Sequence, residues 1–364
     1  MSYEVVVVGG GIGGLTVAAL LSARGMNTCL LERQSQVGGC IARVEFSGFD
    51  FEPGMGLYTS FGPGEVYERL FSQLPVEIPA VTLLTEPYVS RRIDGTDVSL
   101  DEARLYSIAG GPATLAERLA ESIKLSGSKV RLNSPVLRLS FDPGGKAVGV
   151  DLLSGETVLA TKAIVSNLTV WDTYGKLVGL NRTPPEIKKQ INALRGAGAY
   201  LIYAAMEESA VSRLPSERML VRDDEGEFSL AVSSSKTAPV GKRAVTLKCE
   251  TEIESWFSYQ TSEEDYEEWD QAALEHFWKR LHAAIPELGA DIEIIETANP
   301  RTYYDLTRRK LGMVLGLDKH AEPLSHRTFL PNVFMVGDTI SSAGRLDSVV
   351  ASAISLANEI SEQD

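Results

Sequence analysis

Gly9, Gly11 and Gly14 form a G-x-G-x-x-G pattern directly after the apolar run of residues 5–8. Each glycine has a separate task in cradling a pyrophosphate. Gly9 permits the tight turn from strand to helix, Gly11 lets the backbone approach the phosphates, and Gly14 lets helix and strand pack closely. The open N–H groups at the helix start and the positive end of its dipole then hold the anion, which brings Ile12 and Gly13 into the same site. Glu32 lies 18 residues after Gly14, at the end of the next apolar run. A carboxylate there can accept hydrogen bonds from ribose hydroxyls, and its charge would repel a 2′-phosphate. A glycine-rich turn with an unrelated surface acid is the bland alternative; the strand before it, the helix after it and the placed acid all count against that. NAD and FAD fit this fingerprint equally.

Two further features separate them. Gly38 and Gly39 follow the second apolar run, where a nicotinamide enzyme has no general need for close backbone approach. Residues 332–336 read as a buried strand ending in Gly337 and Asp338, followed by a loop and a closing helix over 348–360. This combination resembles the flavin-containing superfamily of amine oxidases, phytoene desaturases and carotenoid isomerases. Shorter pieces keep the family's order along most of the chain. Residues 106–119 resemble its return into the dinucleotide domain and 129–136 the strand pair that meets adenine. Residues 163–167 look like the strand that closes that unit, and 299–303 with 312–317 like the segment before the final strand.

The resemblance implies noncovalent FAD and a set of contacts. Gly11, Ile12, Gly13 and Gly14 would meet the pyrophosphate, with Gly9 shaping the turn. Glu32, with Arg33 beside it, would meet the adenosine ribose, and Val136 would offer backbone to adenine. Gly39 and Cys40 would lie near the phosphates, and Gly337 with Asp338 near the ribityl or pyrophosphate portion. The closing helix, around Leu346, Ser348 and Val349, would aim its N-terminus at flavin N1 and the C2 carbonyl, where unpaired N–H groups stabilise a reduced, anionic ring.

Several residues depart from the family pattern. Cys40 stands where the family usually has Arg, Lys or Ser; a small residue in a tight turn is the simpler reading, a flavin-linked or redox-active thiol the other. Members that bind flavin covalently through cysteine place it near the C-terminal motif, and no cysteine lies there. Asp347 reads as the N-cap of the last helix. Arg345 reads either as a positive charge near flavin N1 or as a solvent-facing residue.

Little catalysis is expected of side chains, because the isoalloxazine carries the redox chemistry and the protein supplies orientation and a dry pocket. No catalytic residue is identified. Met55, Leu57, Tyr58 and Tyr304 are pocket candidates, with Tyr200, Tyr203 and Trp256 behind them; each aromatic also reads as core filler. Lys248 reads either as the lysine that holds a water near N5 in amine oxidases or as an ordinary surface lysine. Only about twenty residues separate Tyr88 from Ile108, where phytoene desaturases carry a long helical insertion. The substrate is therefore expected to be a small to medium, partly apolar molecule that is oxidised or desaturated by hydride transfer to N5. Flavin-dependent isomerisation or saturation of a hydrophobic polyene is the second enzymatic reading. A flavin-free binding protein of the GDP-dissociation-inhibitor type is the reading from another class.

The elements that must hold these residues follow from periodicity. Residues 3–8 and 28–31 are expected buried strands flanking a helix over 12–24, a β-α-β unit. Helices are expected over 61–74 and 111–126, strands over 129–132, 135–141, 147–153 and 157–165, then strands over 200–206 and 244–251. An acidic run, 262–270, opens a helix whose first turn the dipole favours as negative. The fold class is α/β: a discontinuous Rossmann-like FAD-binding domain (1–75, 106–175 and 300–364) with a smaller α+β substrate domain (76–105 and 176–299) on a mixed or antiparallel sheet.

Bulk properties fit that reading. The 364 residues exceed one ordinary core. A net charge of −14, from 35 basic and 49 acidic side chains, disfavours nucleic acid and anionic membranes as partners. Cys29, Cys40 and Cys249 form no framework, and the four histidines (His276, His282, His320, His326) make no metal-ligand spacing. No run approaches the roughly 20 apolar residues of a membrane helix, and the first residues lack a signal-peptide pattern. A cytoplasmic protein without stable membrane insertion is expected; the oligomeric state is left open.

Overall fold

The computed structural model describes the chain except residues 54–57, 85–88, 93–96, 100–103, 224, 234–236, 259–262, 318–321, 342–344 and 363–364. At 89–92, 97–99, 222 and 258 the backbone alone is described. Two seven-stranded sheets organise the protein. In the first, five strands run parallel in the spatial order Val333–Met335, Thr157–Ser166, Ser2–Val8, Thr28–Leu31 and Lys129–Arg131. Thr157–Ser166 divides its outer edge. Its first residues pair antiparallel with Ala147–Leu152, which pairs with Val136–Phe141, and its last residues pair with Val333–Met335.

Buried valines explain why Ser2–Val8 is central. Val5 and Val7 enter one core while Val6 and Val8 enter the core on the opposite face, the period-2 outcome for a strand covered on both sides. Burying each contributes about 1.5–3 kcal/mol. The helix Ile12–Ala23 follows and packs against the last helix, Leu346–Ser361, through Leu20, Leu21, Val350 and Ala357. Arg24 reinforces this joint, donating to the Ala357 carbonyl and to the Ser361 and Asn358 side chains. The two chain ends are thus parts of one layer.

The second sheet has the order Ile292–Ala298, Gly198–Glu207, Lys242–Thr251, Gly226–Val232, Arg218–Asp223, Val89–Arg92 and Asp97–Ser99. It is antiparallel except where Arg218–Asp223 meets Val89–Arg92 in parallel. The helix Glu263–Ala284 covers one face, packing Phe277 and Leu281 against Tyr200, Phe228 and Leu230. Its first turn carries exposed Glu263, Glu264 and Asp265, the charges a helix start favours. The other face bears Tyr203, Leu201, Ala244 and Ala298 and receives the hairpin Val44–Phe46/Phe49–Phe51. Those hairpin residues therefore pack with the second sheet although they fall among residues 1–75. Val81–Leu83 pairs with Tyr106–Ile108, and Val81 packs on the first core.

Some elements differ from the sequence reading. The helix expected over 61–74 is only Val66–Phe71, because Gly62, Pro63 and Gly64 (φ +75) turn the chain before it. Arg218–Asp223, Gly226–Val232 and Ile292–Ala298 carry too many charged and polar residues on one face to stand out as strands by hydrophobicity. Asp347 is not the N-cap of the last helix. Arg345 holds that position, and Asp347 lies in the first turn accepting hydrogen bonds from Thr59, Ser60, Arg345 and its neighbour's N–H. Burial opposes its charge, but the bonds from Ser60, Arg345 and Thr59 hold its carboxyl below the ordinary value.

A buried ion pair joins the hairpin's exit to the second sheet. Arg218 Nη2 lies 2.7 and 2.8 Å from the two carboxylate oxygens of Glu52, with side chains only 4% and 2% exposed. The Tyr58 hydroxyl donates to the same carboxylate, and Thr246 donates to the Glu52 carbonyl. Removing one member of such a pair leaves a charge in a medium that cannot solvate it. Arg218→Met should therefore lower the unfolding free energy by about 3–5 kcal/mol in a urea titration; a loss below about 1 kcal/mol would show that the pair does not hold the two parts together.

Candidate functional site

The glycine turn has little room for side chains. A Cβ on Gly14 would lie 2.3 Å from the Gly9 carbonyl oxygen, so the helix packs on the strand only without one. A Cβ on Gly11 would lie 2.6 Å from Asn167 Nδ2, and one on Gly13 2.8 Å from Asn167 Oδ1. Gly9 has φ +100, in the region that favours glycine. Gly11 caps the helix Ile12–Ala23 with no side-chain hydrogen bond, so the first-turn N–H groups remain available to an anion. Glu32 ties the turn to the second strand: one carboxylate oxygen accepts from Gly10 N at 2.6 Å, the other from Gln34 N at 2.7 Å.

A second glycine turn approaches from the side. Gly38 (φ +117) donates its N–H to the Gly10 carbonyl at 2.8 Å, and a Cβ on Gly39 (φ +57) would sit 3.4 Å from Gly11 Cα. At the end of Val333–Met335, Gly337 (φ +136) turns the chain beside Asn167, and Asp338 follows. Arg309 Nη2 donates to Asp338 Oδ2 at 2.5 Å. Burial alone would lower the Arg309 pKa, yet Asp338 beside it raises it above the ordinary arginine value. Cys40, between these groups, has its thiol pushed up by burial.

These parts border one cavity of about 760 Å³, within the range of cofactor and ligand sites. Glu32, Arg33, Ser134 and Val136 line one end. Gly9, Gly11, Ile12, Gly13, Gly39, Cys40, Gly337 and Asp338 line the middle, and Leu346 and Val349 of the last helix face the same space. At the far end the second sheet contributes Tyr203, Lys248 and Ala298, joined by Phe46, Tyr303 and Leu315. Burial raises the Tyr203 hydroxyl to about 12 and the Tyr303 hydroxyl well above its ordinary value, so both stay neutral donors. Lys248 lines the cavity and its side-chain amine makes no hydrogen bond among the described residues; burial lowers its pKa, against the pull of Glu227 and Glu250.

Other expected residues lie elsewhere. Gly14 serves packing rather than lining. Ser348 turns away, bonded to Ser341 and to the Arg345 carbonyl. Tyr58 bonds to Glu52 beneath Arg218, and Tyr200 stacks on Trp256 in the core beyond the second sheet. Tyr304 packs edge-on against Phe257 and under Arg308, while its neighbour Tyr303 faces the cavity; one helical step of about 100° separates them. Met55 and Leu57 lie outside the described residues. Asn167 and Arg309 were not anticipated. The signal for Asn167 was its place at the C-terminal end of a parallel strand beside the first, where open α/β sheets bind ligands. Arg309 had no signal, because it reaches the site from a turn remote in sequence.

FAD, the group implied by the sequence resemblance, fits this arrangement. The Cβ-free cradle against Asn167, the uncapped helix start and the acid at Glu32 match a pyrophosphate and a ribose.

Comparison with known proteins agrees. A family model described as "NAD(P)-binding Rossmann-like domain" matches residues 7–74, and one described as "Flavin containing amine oxidoreductase" matches residues 91–361. The chain is 26% identical to the chloroplastic prolycopene isomerase of Arabidopsis thaliana over 270 residues, 69% of this chain and 44% of that protein. It thus spans less than half the length of that curated relative. An oxidoreductase from Methanosarcina mazei shares the fold with a TM-score of 0.73 at 16% identity, covering 98% of this chain and 100% of that one. A variant of putrescine oxidase shares it with a TM-score of 0.71 at 12% identity over the whole of both chains. No helix among the described residues is long and apolar enough to cross a membrane.

Gly11→Val should abolish flavin uptake while leaving the circular dichroism spectrum unchanged, since the added side chain fills the phosphate approach against Asn167. Retention of bound flavin at wild-type stoichiometry would mean that the pyrophosphate lies elsewhere.

Proposed function

The chain belongs to the family of flavin-containing amine oxidoreductases, and we propose that it is an FAD-dependent enzyme that oxidises or desaturates a small to medium, partly apolar molecule. One observation carries this reading. A single cavity runs from the glycine turn and Glu32, past Gly337 and Asp338, to an aromatic chamber on the second sheet. When bound, the flavin ring would supply the hydride acceptor at N5. The protein's own groups do the rest. Gly11–Gly13 N–H groups would hold the phosphates and Glu32 the ribose. The start of the helix Leu346–Ser361 would offer positive potential to the ring's N1 side.

Tyr203, Tyr303, Phe46 and Leu315 form the walls of the chamber and exclude water from the reacting end. Lys248 brings the one ionisable nitrogen among the described lining residues of the second sheet. Burial favours its neutral amine, which can accept a proton there or hold a water beside the substrate. A partly apolar substrate suits this chamber, and so does a hydrophobic polyene. The similarity to a prolycopene isomerase favours isomerisation without net oxidation as the second reading.

The purified protein should carry oxidised-flavin absorption bands that are released on denaturation. Anaerobic addition of an amine or a polyene should bleach them under the leading reading. Under the second, product should form only after prior chemical reduction and the flavin spectrum should return unchanged. A colourless protein that takes up no added FAD would instead favour a flavin-free binding role.

Lys248→Met should retain FAD and slow flavin reduction by about a hundredfold. The wild-type rate should rise with pH as Lys248 loses its proton, at a value below the ordinary lysine range, and that rise should be missing from the variant. Stopped-flow profiles with the same alkaline limb in both proteins would remove Lys248 from the proton path.

A further inference from the structure

We propose that Arg309, held by Asp338, presents the guanidinium that contacts the pyrophosphate of the bound dinucleotide; this rests on the FAD reading above and names a group that reading leaves out. The turn from Gly9 to Gly14 supplies N–H donors but no charged side chain, and Glu32 adds a negative one. A doubly charged group enclosed in a protein cleft needs charge compensation as well as hydrogen bonds. Pairing does not single out Arg309 among the cations at the cavity, but its enclosure does. Arg33 donates to the Leu306 carbonyl, and Arg43 pairs with Asp50, Arg308 with Asp305, Arg345 with Asp347 and Lys176 with Asp172; these four paired side chains are 37% exposed or more, against 17% for Arg309. Lys248 stands across the cavity on the second sheet.

Arg309 is built for the task. Its Nη2 is fixed on Asp338 and its Nε on the Met313 carbonyl, both at 2.5 Å. Nη1 makes no hydrogen bond among the described residues, although the side chain is only 17% exposed and lines the cavity. The guanidinium lies within the electrostatic reach of Cys40, next to Gly39, whose Cβ position is 3.4 Å from Gly11 Cα. Asp338 adjoins Gly337, which lies against the same Asn167 amide as Gly11 and Gly13. The cation and the phosphate turn therefore border the same cavity, joined through Asp338, Gly337 and Asn167.

The turn that carries Arg309 is held rigidly. Leu311 takes φ 50, unusual for a branched side chain, and a Cβ on Gly312 would lie 1.8 Å from the Pro300 carbonyl oxygen. Lys176 Nζ donates to the Arg308 carbonyl just before it. A fixed guanidinium with a free donor edge suits two-pronged contact with phosphate oxygens, which a flexible ammonium does not match.

The test compares ADP, which has the pyrophosphate, with adenosine, which has none, by calorimetry on flavin-free protein, alongside FAD binding by fluorescence quenching. Arg309→Met should weaken ADP and FAD by at least about tenfold and adenosine by less than about twofold. Arg309→Lys should fall between, and keeps the test alive if the methionine variant fails to fold. Introducing Cys40→Arg into Arg309→Met should return part of the ADP affinity. The double variant Arg309→Met/Asp338→Asn should remain weak for ADP. Equal losses for ADP and adenosine would assign Arg309 a structural role and overturn the proposal, as would full recovery in the double variant, which would make Arg309 only a counter-ion for Asp338. Wild-type protein that binds neither FAD nor ADP would overturn the cofactor reading itself; wild-type binding with an unaffected Arg309→Met overturns this proposal alone.

Discussion

Backbone N–H groups reach a phosphate only where side chains are missing, and the glycine turns around Asn167 keep such a space clear. Gly11 and Gly13 abut one amide, Asn167, and Gly14 abuts the carbonyl of Gly9. Asn167 is itself fixed by its N–H to the Val8 carbonyl, at the end of the strand beside the first. Substituting any of these glycines moves the helix, the strand or the amide, and each of those positions another part of the cavity. The consequence reaches the chain's far end, because Val333–Met335 is registered on Thr157–Ser166 and delivers Gly337 against the same amide.

The second sheet solves a different problem. A redox ring needs a chamber without water, and the protein builds it by turning the small and aromatic face of Gly198–Glu207 and Lys242–Thr251 toward the cavity while the acidic helix covers the back. The buried Glu52–Arg218 pair then ties the hairpin exit to that face. An ion pair there adds little net stability over an apolar contact. It does dictate one arrangement, since neither charge tolerates another packing. This would suit a wall registered against a cofactor that the other sheet holds under the proposed reading.

Much of the first sheet was legible because its signals are local. Four consecutive valines buried on both faces, a glycine turn and an acid at fixed distance identify the dinucleotide end without tertiary information. The C-terminal Gly337–Asp338 was legible through a similar strand-then-glycine pattern. The second sheet was less so. Its strands 218–223 and 226–232 mix charged and polar residues with short apolar runs and carry the Arg218 and Asp223 partners that only the assembled fold explains. Tyr303 and Tyr304 show the limit of residue type alone, for neighbouring tyrosines on one helix serve the cavity and the exterior packing, and periodicity cannot say which without the sheet behind them. Arg309 shows a second limit, since a charged residue in a polar turn looks like solvent-facing chain until its partner Asp338 is placed.

The charge distribution follows from these constraints. The chain as a whole is strongly acidic, at −14, yet the cavity wall gathers arginines and lysines from elements far apart in sequence. Most are paired with acids or carbonyls that fix them, as Asp347 fixes Arg345 and Asp172 fixes Lys176. Fixed, paired cations lose less on enclosure than free ones and present oriented N–H groups rather than bulk charge. An anionic cofactor entering such a wall would meet donors already in place, so its ordering costs would fall mainly on the ligand. The acidic exterior meanwhile repels other polyanions from the surface, which leaves selection to the shape of the glycine-lined cleft.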